Sequence, residues 1–398
     1  MVSVKPLDQL TLADLWREVR GEDTFWSDTA ERQRTLVKHL LEGALEEEMV
    51  LLLEAARYRR VESRRGYRNG FYERDLATQI GIIKGVRVPR GRPGGQEREV
   101  FGRYQRRQAQ VNVLIREIFL AGVSTRRLGE VLERLLGERV SAQTVSRVAQ
   151  QLDREVERFH QAPLSDDVLY LLLDGVSMRV KGALGVKRRL VLCAYAITVG
   201  GQRRLLDFRL GRTESEAEWE AFLSQLRERG LWGRHLRLVV TDGCRGLHAA
   251  LQTVYPYVGR QHCWVHKLRN VAALLPRRLQ KECLTGVRRI YEASTKREAV
   301  QAYWAWAQRW RGEAPKAVAC LERDLEELLS FFTCPPAHHR KVRTTNAIER
   351  AFREVRRRTR PMSCFNNGQS CERIIYAVVC HLNKSWEGRP LQQFTHNS

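Results

Sequence analysis

The sequence predicts a mixed α/β protein whose core is interrupted by an all-helical segment and preceded by helical and small β-rich basic segments. Three observations support this. After Pro163 the apolar pattern changes to that of strands, residues 263–340 have the pattern of helices, and the chain is strongly basic. At 398 residues it is too long for one ordinary core. The expected segments are 1–63, 64–108, 109–162, 163–262, 263–340 and 341–398.

The charge indicates a polyanionic partner. The chain holds 69 Lys and Arg against 46 Asp and Glu, a formal net charge of +23. The excess is clustered, because residues 57–107 contain fifteen basic and five acidic residues. Arg predominates there, and its planar guanidinium pairs well with phosphate. We therefore expect DNA as the partner, with a generally basic soluble protein as the alternative.

Cysteine usage and the apolar pattern indicate the compartment. Nine cysteines occur without a CxxC pair or a regular spacing, which argues against a disulfide scaffold and a zinc ribbon and is typical of a reducing cytosol. The first residues lack the pattern of a secretory signal, and no apolar run approaches ~18 residues. We expect a cytoplasmic protein with no membrane partner.

The first hundred residues predict helix followed by short strands. Residues 1–60 read as helical, with an amphipathic run at 30–57. From Arg64 to Arg107 the sequence is rich in Gly, Pro and Arg among alternating β-formers, which excludes helix. This stretch is interpreted as a DNA-contacting arm, and a solvated basic linker is the alternative.

Residues 109–160 predict three helices, over 109–122, 124–137 and 141–159. Ser124 and Ser141 are suitable N-caps, and Gly122 and Gly137 end the preceding helices. Two short helices joined by a tight Gly turn are typical of a helix-turn-helix, although a structural three-helix bundle has the same pattern. The side chains expected to reach DNA base edges are Gln143, Thr144 and Arg147.

The segment after Pro163 predicts three strands, a helix, a strand and a helix, which is the order of the ribonuclease-H-like fold. The first three strands are expected to form an antiparallel meander, since only short turns separate them. The chain then closes with a basic helix and an apolar one. The predicted strands and helices lie at 168–180, 188–199, 203–210, 215–230, 236–243, 244–254, 346–359 and 372–384.

Two acidic residues stand where a catalytic metal site is expected. Asp174 and Asp242 each follow an apolar strand and precede a glycine, although either alone is more typical of a turn. Phosphoryl transfer to DNA commonly uses Mg²⁺ ions held by carboxylates, so a third carboxylate is expected. Helix 346–359 offers Glu349 and Glu354 on opposite sides of its apolar stripe, and helical geometry alone does not choose between them. The stripe comprises Ile348, Ala351, Phe352 and Val355.

The stretch 242–266 resembles the signature of the Mutator-type transposases, including their bacterial insertion-sequence branch. That signature has an Asp, a Gly-aliphatic pair, an aromatic-Pro pair and a Gln/Arg-x-Cys-x-x-His ending. Similarity extends to the strand around Asp174, to the basic arm and to the TNAIE segment, and covers most of 60–385. The matching residues are Asp242, Gly246, Leu247, Tyr255, Pro256, Gln261, Cys263 and His266.

The resemblance implies a DDE transposase in which Asp174, Asp242 and Glu349 hold Mg²⁺, with Mn²⁺ as a substitute. No zinc is expected, because no second Cys or His pair stands at the spacing of a zinc finger. Such an enzyme binds the terminal inverted repeats of its element, releases 3′-hydroxyls by cleavage and joins them to target DNA. It implies a homodimer on DNA, associated with a bacterial nucleoid. Arg353 and Arg356, on nearly the same helix face as Glu349, are expected to hold backbone phosphates.

Two further groups carry expectations with open alternatives. An exposed Trp in the helical segment could stack on an unstacked base, but ordinary helix packing is the more usual role of such residues. The Cys and His of the motif suggest an architectural or DNA-proximal role, and a packed Cys with a hydrogen-bonded His is the alternative. These residues are Trp304, Trp306, Trp310, Cys263 and His266.

Three other functions compete with transposition. A non-transposing nuclease of the same fold would share the metal site but would not need the basic arm or the helical segment. A transcriptional regulator would use 109–160 to bind an operator, and the repeated strand-Asp-Gly pattern would then have no purpose. A tyrosine recombinase would use His266, Arg269 and Tyr291, and would not depend on metal ions.

Overall fold

The computed structural model describes residues 22–92, 100, 105–120, 123, 125–136, 140–183, 185–359 and 364–395. They divide into two compact units. Unit 1 contains the described residues of Met1–Phe119 and Val123–Gln150, and unit 2 contains those of Leu120–Gly122 and Gln151–Ser398. The predicted helix before residue 22 lies outside the described residues.

Unit 1 begins with a long helix and a hairpin that packs on it. Helix α1 spans Glu22–Leu53, and strands β1 (Tyr67–Thr78) and β2 (Gly81–Arg92) pair antiparallel. The hairpin is sharp because Gly81 adopts φ +106°, a conformation that side chains disfavour. The predicted short strands are therefore two strands of 12 residues each. Their shared core with α1 comprises Leu45, Leu76, Ile83, Val86 and Val88.

Three short helices complete unit 1: α2 (Ala109–Leu120), α3 (Thr125–Leu136) and α4 (Ala142–Gln150). Ser141 caps α4 as predicted, because its Oγ accepts the Thr144 backbone N–H at 3.2 Å. The predicted roles of Gly122, Ser124 and Gly137 lie outside the described residues. The helices share a core of Val111, Ile115, Leu128, Leu132, Leu136, Val145 and Val148.

The predicted single helix over 141–159 is wrong. Helix α4 ends at Gln150, and α5 (Leu152–Gln161) starts a second helix that belongs to unit 2. Gln151 itself has helical angles, φ −63° and ψ −22°, so the local sequence carries no sign of a break. The division arises from packing: Arg373 donates to Asp153 of α5 at 2.5 Å, and the Phe159 ring packs on other aromatic rings of unit 2.

Unit 2 is built on a five-stranded mixed sheet in the order β5-β4-β3-β6-β7. Strands β3, β4 and β5 form the predicted antiparallel meander, and β6 and β7 run parallel to β3. Strand β7 was not predicted, because its four residues GRQH are too few and too polar to show a strand pattern. The strands span Val168–Gly182, Gly185–Thr198, Arg203–Gly211, Leu238–Thr241 and Gly259–His262.

Helices α6 (Glu216–Glu228) and α7 (Arg245–Val254) pack on one face of the sheet. Ser215 caps α6, because its Oγ accepts the Glu218 N–H at 3.4 Å. The central strand β3 is buried on both faces, which explains its continuous apolar run. The core with these helices includes Leu171, Leu173, Leu192, Ala194, Trp219, Phe222, Leu247 and Leu251.

The stretch 263–340 is helical almost throughout, as predicted. Beyond it, α14 (Asn346–Thr359) precedes α15 (Gly368–Trp386), which is tied to β5 by two hydrogen bonds between the Asn383 amide and the Leu205 backbone, at 2.9 and 3.0 Å. Within the ranges described above, no helix has both the length and the apolar character needed to cross a membrane. The other helices are α8 (Trp264–Ala273), α9 (Arg277–Glu292), α10 (Lys296–Trp310), α11 (Pro315–Arg323), α12 (Leu325–Leu328), α13 (His339–Val342) and α16 (Gln392–Thr395).

Candidate active site

Asp174 lies in the middle of β3, opposite Cys193 of β4, and is 4% exposed. Burial is the main reason that its pKa is raised to about 6. The nearby charges of Asp242 and Glu349 raise this pKa further, while His266 and a hydrogen bond from Thr345 lower it. The two predicted partner carboxylates are therefore electrostatic neighbours of Asp174.

Asp242 follows β6 on the strand beside β3. The parallel register pairs Leu172 with Val240, so continuing it by two residues brings Asp174 and Asp242 to the same point of the sheet. The Asp242 Oδ1 accepts the backbone N–H of Cys244 at 3.0 Å, which forms a tight turn. Gly243 in that turn has φ +85°, so glycine is needed there.

Glu349 lies in the first turn of α14, and the stripe predicted for this helix is its buried face, with each member at most 4% exposed. The Glu349 Oε1 accepts from Arg269 at 2.7 Å and lies 3.9 Å from His266 Nε2. Burial raises the pKa of Glu349, but Arg269, His266 and Arg356 outweigh this, and the pKa is lowered. Glu349 is therefore held as a carboxylate.

The Cys and His of the signature lie next to these acids. Cys263 immediately precedes α8, and its Sγ accepts from the Thr345 backbone N–H at 3.3 Å and hydroxyl at 3.4 Å. Burial lowers the pKa of His266, but a hydrogen bond with Cys263 and the charges of Cys263, Asp174 and Asp242 prevail and raise it to about 9. A protonated His266 offsets part of the negative charge of the carboxylates.

A fourth carboxylate, Glu214, was missed by the sequence analysis. It lies in the loop before α6, and its Oε1 is 2.7 Å from the position that a Cβ on Gly175 would occupy. Desolvation of its carboxyl, followed by the charges of Asp242 and Asp174, raises its pKa to about 7. No strand-Asp-Gly pattern marks Glu214, so the sequence carried no signal for it.

The remaining predicted residues fall into an exposed group and a buried group. Arg353 and Arg356 are exposed on α14, and Arg356 acts on the charge of Glu349. Glu354 pairs with Arg357 at 2.9 Å. In unit 1, Gln143 and Arg147 are exposed and Thr144 is half-buried.

The three tryptophans of α10 do not share one environment. Trp304 is 54% exposed, whereas Trp306 and Trp310 are 4% and 2% exposed. The Trp306 indole N–H donates to the Cys283 carbonyl at 3.1 Å. Trp306 and Trp310 are therefore packing residues and are not available for base stacking in this structure, because the core of the helical segment covers their rings. Of the three, Trp304 alone is exposed, and its ring also makes an edge contact with the Tyr303 ring, with the ring centres 5.3 Å apart.

The donor set suits a hard divalent cation in its chemistry. Its oxygens come from Asp174, Asp242 and Glu349, and a cation among them would relieve the repulsion that raises the pKa of Asp174. In the part of the chain that the structure describes, no three His, Cys, Asp or Glu side chains are close enough together to hold a metal ion. Glu349 is instead bound to Arg269, so it would have to leave that partner to act as a ligand.

The three residues that a tyrosine recombinase would use do not share one set of neighbours. His266 and Arg269 face Glu349, while the Tyr291 ring lies 5.0 Å from the Trp264 ring and packs against the guanidinium of Arg343. Tyr291 is therefore engaged in packing within the helical segment.

Comparison with known proteins identifies the family. A family model described as "Transposase, Mutator family" matches residues 13–388. The transposase for insertion sequence element ISRM5 of Rhizobium meliloti is 35% identical over 353 residues, which cover 89% of this chain and 88% of that protein. The transposase for IS406 of Burkholderia multivorans is 35% identical over 369 residues, 88% of this chain and 93% of that protein. The transposase for IS256 in transposon Tn4001 of Staphylococcus aureus is 32% identical over 350 residues, 86% and 87% of the two chains. The chain belongs to the Mutator family of transposases.

Proposed function

We propose that this chain is a metal-dependent DDE transposase with Asp174, Asp242 and Glu349 as its catalytic carboxylates. It binds the ends of its insertion sequence, cleaves to release 3′-hydroxyls and joins them to target DNA. The observation that carries the proposal is the parallel register that brings Asp174 and Asp242 to the same point of the sheet, and the charge of Glu349, from a distant helix, also acts on Asp174. Acids drawn together from separate elements are expected of a functional site more than of three turns.

The sheet supports a ribonuclease-H-like core. Three antiparallel strands, then α6, a parallel fourth strand and α7 follow the order that the sequence predicted, and β7 adds a fifth strand that was not predicted. Asp174 on the central strand and Asp242 after its parallel neighbour then share one edge of the site. The helices of 263–340 separate β7 from α14, so we interpret them as an insertion into that core.

The chain's own residues have separable tasks in this scheme. Asp174, Asp242 and Glu349 would hold Mg²⁺ or Mn²⁺, which supplies charge neutralisation on the phosphate and a stronger nucleophile. His266 keeps the carboxylates together by offsetting their repulsion. Gly175 and Gly243 have no side chains, and the space beside them is taken by the Glu214 carboxylate and by the His262 ring. The exposed guanidiniums of α14 would hold the phosphates of the bound strand.

Recognition of the element ends is assigned to unit 1. The three-helix module exposes Gln143 in the first turn of α4 and Arg147 in its last turn, and we propose that α4 is the recognition helix that contacts base edges. We propose that DNA is bound by a homodimer, each copy taking one terminal repeat. Binding is expected to weaken steeply with salt, because the basic surface releases counterions from DNA.

The test is a cleavage and joining assay on end DNA in Mg²⁺, with binding measured separately. Asp174→Ala, Asp242→Ala and Glu349→Ala should each abolish cleavage while retaining DNA binding, because the carboxylates act on catalysis alone. Glu354→Ala is the matched control on the same helix and should cleave nearly normally. An active Glu349→Ala enzyme beside an inactive Glu354→Ala enzyme would overturn the assignment.

The same assay separates the competing functions. A non-transposing nuclease would cleave end DNA without producing joined products. A tyrosine recombinase would keep its activity in EDTA, whereas the proposed enzyme should lose all cleavage and regain it on adding Mg²⁺.

A further inference from the structure

A buried polar chain connects the helical segment to the backbone of Asp242. The His262 Nε2 lies 2.8 Å from the Asp242 carbonyl oxygen, and its Nδ1 lies 3.6 Å from Asp324 Oδ2. Asp324, at the junction of α11 and α12, is paired with Lys267 of α8. Of these residues, only Asp242 belongs to the catalytic trio, and the proposed mechanism gives the others no role.

Two members of this set of polar side chains are buried, which fixes which atoms must donate hydrogen bonds. Lys267 is 1% exposed and His262 5% exposed, so each needs a polar partner inside the protein. Lys267 finds two, Asp324 and the Cys320 carbonyl at 3.2 Å. A carbonyl oxygen only accepts, so the His262 Nε2 must carry the hydrogen that it gives to Asp242. The ring therefore acts as a donor aimed at the backbone of the catalytic acid.

The approach of His262 depends on the glycine after Asp242. A Cβ on Gly243 would lie 2.0 Å from the His262 Nε2, well inside contact distance. Gly243 also needs its positive φ, and Asp242 uses its own side chain to cap the turn. The His262 ring holds the carbonyl side of this turn from outside, and it stands on β7 at the entry to the helical segment, while Cys244 at the other end donates its Sγ–H to the Glu214 carbonyl at 3.6 Å.

We infer that His262 is a positioning residue, which holds the Asp242 turn by its Nε2 hydrogen bond while its ring lies beside the Lys267–Asp324 pair of the helical segment. Its role is to keep the Asp242 carboxylate directed at the metal. The inference rests on the proposed catalytic role of Asp242. A partner that orients a ligand in this way typically changes metal affinity or activity by about 10–100-fold.

The experiment compares two amides at position 262. His262→Gln places an amide N–H where Nε2 stands and can still donate to the Asp242 carbonyl. His262→Asn places its amide only as far as Nδ1 and cannot reach that carbonyl. The readouts are the Mn²⁺ concentration that half-saturates the shift in melting temperature without DNA, and the single-turnover cleavage rate at saturating end DNA.

His262→Asn should raise the Mn²⁺ requirement and slow cleavage, each by about 10–100-fold, with end binding unchanged. His262→Gln should stay within about threefold of the wild type, as expected when the donor is retained. Equal losses in both variants would mean that the ring only packs, and would overturn the inference; so would wild-type behaviour of His262→Asn. If His262→Asn does not fold, the test rests on His262→Gln. A loss of cleavage rate above about tenfold in that variant, at a normal melting temperature, overturns the inference. An active Asp242→Ala enzyme would instead refute the proposed function, so the two failures are distinguishable.

Discussion

Replacing Asp174 by Asn is expected to stabilise the metal-free protein at neutral pH. The carboxyl is buried, and its pKa is raised from 3.8 to about 6, mainly by that burial. The folded state therefore bears the cost of ionising Asp174, while the unfolded chain does not. A rise of about 2 pKa units corresponds to about 3 kcal/mol. Because the buried amide of Asn retains some desolvation cost, the expected gain is about 1–3 kcal/mol.

The pH dependence of the difference in stability between the wild type and Asp174→Asn tests the sign of this effect. Below about pH 4 the carboxyl is protonated in both states, so the wild type and Asp174→Asn should be equally stable. Between about pH 4 and 6 the unfolded chain ionises first, so wild-type stability falls as the pH rises. Above about pH 6 the difference in unfolding free energy between the two proteins has its full value and no longer changes with pH. For a unit of this size it corresponds to a higher melting temperature by roughly 3–10 °C.

The assay is thermal unfolding in EDTA at about pH 3.5 and pH 7.5, followed by the same measurement with Mn²⁺ at the higher pH. Asp167→Asn is the matched control, an exposed carboxylate just before β3. Mn²⁺ should raise the melting temperature of the wild type and of this control, and that of Asp174→Asn far less, because ligand binding stabilises the fold by mass action. If Asp174→Asn melts below the wild type at pH 7.5 and responds equally to Mn²⁺, Asp174 is a structural turn residue.

Three further predictions concern the surroundings of the site and the recognition helix. Glu214→Gln should raise the melting temperature in EDTA at pH 8 but not at pH 4, since desolvation disfavours the ionised form only in the fold; an equal effect at both pH values would contradict this. Arg269→Ala should cost less than about 1 kcal/mol of stability, as an exposed ion pair does, yet tighten Mn²⁺ binding by releasing Glu349; unchanged or weaker binding would show that the pair does not compete with metal. Arg147→Ala should cost about 1–3 kcal/mol of binding to end DNA and little on random DNA in a competition assay, whereas equal losses would indicate a phosphate contact.

Much of the fold was predictable because its signals are local. The apolar runs of β3 and β4 and the stripe of α14 repeat at the periods of strand and helix, so their burial follows from composition along a few residues. The break at Gln151 was not predictable, since its backbone remains helical and only the partners of α5 separate it from α4. Strand β7 was missed because its four residues are too few to show the alternation of a strand.

The sequence by itself determined the candidate carboxylates, the signature around Cys263 and His266, and the basic character of the chain. Each depends on residue types at fixed spacings, which the chain carries whether folded or not. Only the tertiary structure decided which side chains surround the acids. Arg269 on Glu349, Glu214 against Gly175 and His262 on the Asp242 carbonyl join residues from different elements, and the burial of Trp306 depends on a neighbouring helix. Such contacts and the pKa shifts they cause depend on distance through space, which spacing along the chain does not encode.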